Sequence, residues 1–375
     1  MTPVFFRKEL PTVKTIVVKT GSRILTGAGN IARVERLVDD LAALHAAGTR
    51  VVLVSSGAIA HGMAALGLTK RPPTMPLKQA CASVGQNRLM NAYQGFFEKH
   101  KILIGQVLLT WDDLRNKKRY FNLRNTMFQL LDCGVLPIVN ENDSVGVEEI
   151  RFGTNDLLGA QMAILVQADV FVNLTDVGGL YDKNPHENAS ARHLPVVATM
   201  SEALHGLASD KKNDISVGGM ASKLQSVEMV ARAGIHTLIG DGFNCRLSDV
   251  LTKEKCATLF LPAKTSRKVS TRLRWMAFSG APSGSLIIDD GARRAVIEQG
   301  KSLLPAGIIK VNGTFSVGDP VDLRANDETK IGRGLVNYSA DDIRRVMGCR
   351  TSEIEKRLGS KEFDEVVHRD NLVLL

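Results

Sequence analysis

Residues 12–20, TVKTIVVKT, read as a buried strand, and residues 31–48, IARVERLVDDLAALHAAG, place Ile31, Val34, Leu37, Val38, Leu41 and Leu44 at helical spacing. Asn30 is positioned to cap that helix and Gly48 to end it. Residues 50–54, RVVLV, give a second buried strand. The succession repeats along the first 245 residues. A helix runs to about His100, ILIGQVLL (102–109) is a strand, and a helix spans Asp113 to Asp132. GVLPIV (134–139) and ADVFVNL (168–174) are strand-like, and a helix near Gln225 to Arg232 stops at Gly234 before IHTLIG (235–240). Pro137 weakens the strand reading of GVLPIV, because proline cannot donate to a ladder. Strands separated by helices predict an α/β fold with a mainly parallel sheet covered on both faces.

The pattern changes after 264–274, where Lys264, Arg267, Lys268, Arg272 and Arg274 occur without an acid. This stretch reads most simply as a solvated linker. Beyond it GSLIIDDG (284–291), GIIKVNG (307–313), DPVDLRA (319–325) and TKIGRGLVNY (329–338) are short strands, interrupted by one helix, GARRAVIEQG (291–300). Ser339 with Asp342, and Ser352 with Glu355, are spaced to open two further helices. The expected division is a first domain over 1–265, a basic linker over 266–282, a small mostly β domain over 283–360 and a tail over 361–375.

Composition narrows the class. The chain has 375 residues, 44% apolar and 23% charged, which excludes disorder, collagen and a bare coiled coil. No apolar run approaches the ~18 residues of a membrane span, and MTPVFFRKEL has too short an apolar stretch for a secretory signal. The five cysteines are an odd number with no CxxC, and the eight histidines form no HExxH. Neither a disulfide framework nor a cysteine or histidine metal site is expected, and a reducing cytoplasm is the expected compartment. The net charge of +9 suits nucleic acid or anionic small molecules.

In an open α/β sheet, ligands bind beyond the carboxyl ends of the strands. Those ends carry Lys19-Thr20-Gly21-Ser22, Ser55-Ser56-Gly57-Ala58, Asn140-Glu141-Asn142-Asp143, Thr175-Asp176-Val177-Gly178-Gly179 and, before a helix, Val217-Gly218-Gly219-Met220-Ala221-Ser222-Lys223. Gly153-Thr154-Asn155-Asp156 enters another helix. Each is ordinary cap or turn chemistry alone. Together they offer helix N-termini for anions, two cations and several acids, the inventory of phosphoryl transfer. No GxxxxGK[ST] occurs. Gly27-Ala28-Gly29-Asn30-Ile31-Ala32 matches GxGxxA, but it follows the strand end by some eight residues instead of directly, which argues against a nicotinamide site. A Ser56–His61 dyad would lack a third, orienting group.

The motifs VVKTGS (17–22), VSSGAIAHG (54–62), KQACASVGQNRLM (78–90), PIVNENDSV (137–145), FGTNDLLGA (152–160), LTDVGGLYDKNP (174–185) and GGMASKLQ (218–225) resemble the amino acid kinase family, in its branch that phosphorylates glutamate. GARRAVIEQGKSLLPAGI (291–308) and FSVGDPVDLR (315–324) resemble a PUA domain. The resemblance implies a three-layer α/β/α sandwich, ATP and L-glutamate as substrates, Mg²⁺, the first step of proline synthesis, inhibition by proline, and a dimer or tetramer. It implies catalytic roles for Lys19 and Lys223, with Asp156 orienting them. Ser56, Asp143 and Asn155 match its glutamate positions. Lys19, Thr175 and Asp176, with Val217, Gly218, Gly219, Met220, Ala221, Ser222 and Lys223, match its nucleotide site. Two positions depart from the family pattern: Thr154 stands where GDND is usual, and Val217 where TGGM is usual. Each removes a polar partner, worth on the order of 1.5–3 kcal/mol of affinity. The rivals are another carboxylate or nucleotide kinase of the same fold, and an RNA-binding protein with a vestigial kinase half. The PUA-like tail lacks an aromatic cluster for base stacking, which disfavours RNA.

A glutamate side chain is already ionised at neutral pH, so its phosphorylation needs no general base. The difficulty is to bring one anion against another. Cations and backbone N–H groups, and no histidine, are what such a site requires.

Overall fold

The computed structural model describes residues 7–8, 10–26, 29–146, 155–183, 188, 190–198, 219–262 and 282–374. The chain divides into two compact units, 1–268 and 269–375.

The first unit is built on an eight-stranded sheet. Its strands are β1 (Thr15–Thr20), β2 (Arg50–Val54), β3 (Ile104–Leu109), β4 (Leu136–Glu141), β5 (Val170–Thr175), β6 (Val196–Val197), β7 (His236–Asp241) and β8 (Ala257–Phe260). They lie in the order β3-β4-β2-β1-β5-β7-β8-β6. All neighbours are parallel except β7 and β8. Every residue of β1, β4 and β5 is buried, as continuous apolar runs between two helical layers require.

The helices of this unit that frame the site are α1 (Asn30–Ala46), α2 (Ala58–Ala65), α3 (Met75–Glu98), α4 (Lys117–Asp132), α5 (Asn155–Leu165) and α6 (Met220–Arg232). Ile16, Val18, Leu53 and Val172 join Leu41 and Leu44 of α1 and Leu89, Tyr93 and Phe97 of α3 in one core. The alternate side chains of the same strands face α5 and α6: a Cβ at Gly159 would lie 3.2 Å from Lys19 Cβ, and Leu224 and Val227 share a cluster with Ile239. These are the three layers of an α/β/α sandwich. Burying a side chain such as Ile16 or Val172 contributes about 1.5–3 kcal/mol.

Several local expectations change. Pro137 does lie in β4, but the β2 ladder begins only at Leu53↔Ile138, so its missing N–H falls where no ladder partner stands. The helix expected from Asp113 is divided at Asn116, whose side chain accepts from Arg119 N at 3.1 Å and caps α4. Gly29, at φ 72°, precedes α1, and Asn30 is the first helical residue instead of the cap. No disulfide framework was expected, and one cross-link is present: Cys245 pairs with Cys256, Cα–Cα 6.1 Å. The antiparallel return of β8 against β7 places Gly240 opposite Ala257, and this juxtaposes the two cysteines that sequence spacing had left apart.

The second unit holds a five-stranded sheet of β9 (Gly284–Ile288), β10 (Ile308–Gly313), β11 (Pro320–Arg324), β12 (Lys330–Leu335) and β13 (Leu372–Leu374), in the order β10-β9-β11-β12-β13. Asp289 Oδ1 accepts from Ala292 N at 2.7 Å at the start of α7 (Asp290–Ile297). Ser339 accepts from Asp342 N at the start of α8 (Ala340–Val346), as its spacing predicts. Ser352 does not cap; Arg350 N donates to Glu353 Oε2 at 2.9 Å and opens a short 3₁₀ turn there. The stretch expected as a tail supplies β13, and Val366 and Val367 enter the core beside Leu286, Val321 and Ile343. The basic stretch 264–274 lies outside the described residues.

Candidate active site

Because β2, β1, β5 and β4 run parallel, the segments after them open on one rim. Lys19 is the penultimate residue of β1 and stands opposite Asn173 of β5. Asp156 occupies the first turn of α5. A Cβ at Gly159, one turn on, would lie 2.8 Å from the Phe171 ring, so the glycine lets α5 approach close enough to bring Asp156 over β1. Lys223 lies one turn inside α6, its N–H donating to Gly219 O.

The three side chains meet. Lys19 Nζ is 2.5 Å from Asp156 Oδ1, and Lys223 Nζ is 3.5 Å from Oδ2. Asn173 Nδ2 adds a bond to Oδ1 at 3.0 Å, and Ser222 Oγ one to Oδ2 at 3.0 Å. Lys19, Asp156 and Lys223 are all buried. Burial alone would raise the Asp156 pKa; the two ammonium groups and the Lys19 and Asn173 hydrogen bonds outweigh it and hold it at about 2. Lys223 is pushed below the ordinary lysine value by burial, with Asp156 opposing and Lys19 adding to the effect. Two cations on one anion leave a buried cluster of net positive charge.

Beside it lies a second polar cluster. Asn155 Nδ2 donates to Ser55 O at 2.8 Å, to Ser56 Oγ at 2.6 Å and to Asn140 Oδ1 at 3.1 Å. Asn140 in turn donates to Gln86 Oε1 at 2.9 Å and accepts from Glu141 N at 2.9 Å. The carboxamide of Asn155 is thereby fixed, and its Oδ1 is a buried acceptor with no hydrogen-bond partner among the described residues. Gly57, at φ 99°, turns the chain from β2 into α2. A Cβ at Gly85 would stand 1.8 Å from Ala58 O, and one at Gly62 1.8 Å from Cys81 O, so α2 and α3 touch backbone to backbone behind Ser56. Asp143 lies half-buried in the turn after β4.

At the end of β5, Thr175 Oγ1 donates to Asp176 Oδ1 at 3.0 Å, and Arg23 Nη1 contacts Asp176 Oδ2 at 2.5 Å. Partial burial would raise the Asp176 pKa, and these donors lower it instead. Gly219 and Met220 are half-buried and Ala221 is exposed at the start of α6. Thr154, Val217 and Gly218 lie outside the described residues. The Ser56–His61 dyad does not form: Ser56 is bonded to Asn155, and His61, its pKa lowered by burial, lines an apolar cavity with Leu25, Val34 and Leu89.

Sequence reasoning left out Asn173 and Arg23 as site residues, and took Gln86 only as part of a motif. Asn173 carried a signal, since an amide in the middle of VFVNLT is out of place in a strand buried on both faces. Arg23 carried none.

The amino acid kinase family model matches residues 14–241, and the PUA domain model residues 284–358. The glutamate 5-kinase of Syntrophus aciditrophicus (strain SB) is 44% identical over 369 residues, covering 98% of this chain and 95% of its own. That of Syntrophotalea carbinolica is 45% identical over 375 residues, covering 98% and 99%. That of Geobacter sulfurreducens is 43% identical over 371 residues, again covering 98% and 99%. With this similarity along nearly its whole length, the chain belongs to the amino acid kinase family, in its glutamate 5-kinase branch, and carries a PUA domain behind the kinase domain.

Proposed function

We propose that this chain transfers the γ-phosphoryl group of ATP to the γ-carboxylate of L-glutamate, releasing ADP and the acyl phosphate L-glutamyl 5-phosphate, the first step of proline synthesis. The observation that carries the reading is the convergence of Lys19 and Lys223 on Asp156. The carboxylate oxygen attacks phosphorus in line as the bond to the ADP oxygen breaks, and no proton has to move. Lys19 and Lys223 neutralise charge on the phosphoryl oxygens as it spreads in the transition state. Asp156 holds both ammonium groups in place and stays ionised throughout, given its pKa of about 2.

Ser56, Asn155 and Asp143 take the glutamate. The unpartnered Asn155 Oδ1 is an acceptor suited to the substrate ammonium group. Thr175, Asp176 and residues 217–223, the last four in the first turn of α6, take the nucleotide. Among the described residues, no three histidine, cysteine, aspartate or glutamate side chains converge on a metal position, and Asp156 and Asp176 are already bonded to cations. Asp156 and Asp176 are the carboxylates of this site that would face a Mg²⁺ ion arriving with the nucleotide. When bound, it supplies further positive charge at the phosphate oxygens.

Proline as an inhibitor, assembly into a dimer or tetramer, and a cytoplasmic location complete the reading. Among the described residues no helix is long and apolar enough to cross a membrane. The test is an acceptor panel: the full chain with MgATP and L-glutamate, L-aspartate, N-acetylglutamate or a nucleoside monophosphate, with ADP release followed. Release with L-glutamate alone supports the reading. Release with another acceptor and not with glutamate, or salt-dependent RNA retention without any turnover, overturns it.

A further inference from the structure

Asn173 is the one polar side chain between Val170 and Leu174 of β5, and it is fully buried. It faces Lys19 across the parallel β1–β5 pairing. Both side chains reach the same atom, Asp156 Oδ1, at 2.5 Å from Lys19 Nζ and 3.0 Å from Asn173 Nδ2. The other carboxylate oxygen receives Ser222 Oγ at 3.0 Å and Lys223 Nζ at 3.5 Å. The Asn173 amide has one usable orientation, because turned over it would set its oxygen against the carboxylate. In that orientation its own Oδ1 is buried without a partner among the described residues.

An unpartnered buried carbonyl is a cost. Leucine would suit the apolar run VFVNLT and carry no such cost, so packing alone gives no reason for an amide here. The reason lies in what Nδ2 does. It occupies the carboxylate oxygen beside Lys19, fixes the plane of Asp156, and leaves the second oxygen to Ser222 and the more distant Lys223.

We propose that Asn173 is a positioning residue for phosphoryl transfer, acting through Asp156: it locks the plane of the carboxylate on which Lys19 and Lys223 are placed. The inference rests on the phosphotransfer reading above. Misplacing catalytic cations by fractions of an ångström lowers turnover and leaves ground-state binding largely intact.

The experiment compares the full chain with Asn173→Leu and Asn173→Asp, each with MgATP and L-glutamate. If the parent chain does not turn over glutamate, the phosphotransfer reading fails before Asn173 is in question. With an active parent, Asn173→Leu is expected to keep or raise the thermal midpoint, to lose about 10–100-fold in kcat, and to hold both KM values within about threefold. A residue with only a structural role would lower the midpoint and leave kcat of the folded fraction alone. A kcat within about twofold of the parent's in folded Asn173→Leu overturns the proposal. Should that variant not fold, Asn173→Asp decides. Its carboxyl can donate to Asp156 only when protonated, so its kcat must climb relative to the parent's as pH falls from about 8 to about 6. A profile parallel to the parent's overturns the proposal.

Discussion

Lys223 Nζ stands 3.5 Å from Asp156 Oδ2, an ångström farther than the 2.5 Å that separates Lys19 from Oδ1. One lysine stands at the end of a central strand, and the other on the first turn of α6. The two cations therefore hold a shared anion at unequal distances.

Replacing the more distant cation should separate chemistry from binding. Lys223→Met is expected to lose about 10²–10³-fold in kcat, the size of removing one transition-state donor, with the ATP KM within about threefold. Steady-state kinetics at saturating glutamate read this. An unchanged kcat would remove Lys223 from the catalytic role.

The same lysine sets an alkaline limit. Burial holds its pKa below the ordinary 10.5, and the charged form is the useful one. Turnover should be full below that lowered value and fall as pH rises through it, giving a limb in kcat earlier than an unperturbed lysine allows. Lys223→Arg should carry its residual activity through the same pH range without that limb, since arginine does not deprotonate there. A limb that stays in place in this variant would belong to another group.

Asp156 couples the site to stability. Its folded pKa of about 2 lies below the unbonded 3.8, so the carboxylate stabilises the fold fully above about pH 4 and progressively less as pH falls toward 2. The contribution is on the order of 2 kcal/mol. Asp156→Asn removes the buried carboxylate that two buried ammonium groups share and should cost about 3–5 kcal/mol at neutral pH. Urea midpoints measured from pH 7 to 2 should show the gap between parent and variant narrowing on the acid side. A constant gap would mean that Asp156 does not titrate in this way.

In the proposed site, Ser56 is placed by a helix contact remote from the acceptor. A Cβ at Gly85 would meet Ala58 O at 1.8 Å, so Gly85→Ala must push α2 away from α3 and shift Ser56 and Gly57. We expect a stability loss of about 1–3 kcal/mol, a glutamate KM raised about tenfold or more, and an ATP KM within about threefold. Equal rises in both KM values would show that the helix pair does not serve the acceptor half alone.

The strands and helices of the first unit were legible wherever the period was clean, as in 31–48, and Ser339 was legible because its cap is closed three residues away. Long-range pairing was not. Nothing in the chain order states that Lys19 faces Asn173, because that depends on β5 crossing to lie beside β1, and the amide in VFVNLT therefore passed without a role. Cys245 and Cys256 were left unpaired for the same reason, since an antiparallel return at the end of a parallel sheet has no sequence period. The lysine pair itself was identified through family resemblance; spacing alone could not bring residues 19 and 223 together. Pro137 misled because the rule against proline in central strands assumes partners on both sides of every residue.

The most direct measurement combines MgATP, L-glutamate and hydroxylamine with the parent chain and with Lys19→Met and Lys223→Met, and quantifies glutamyl hydroxamate against ADP. Hydroxamate and ADP should appear in equal amounts from the parent, with a loss of about 10²-fold or more in each variant and nucleotide binding retained. Hydroxamate formed at the parental rate by either variant, or none formed by the parent, would contradict phosphoryl transfer by this lysine pair.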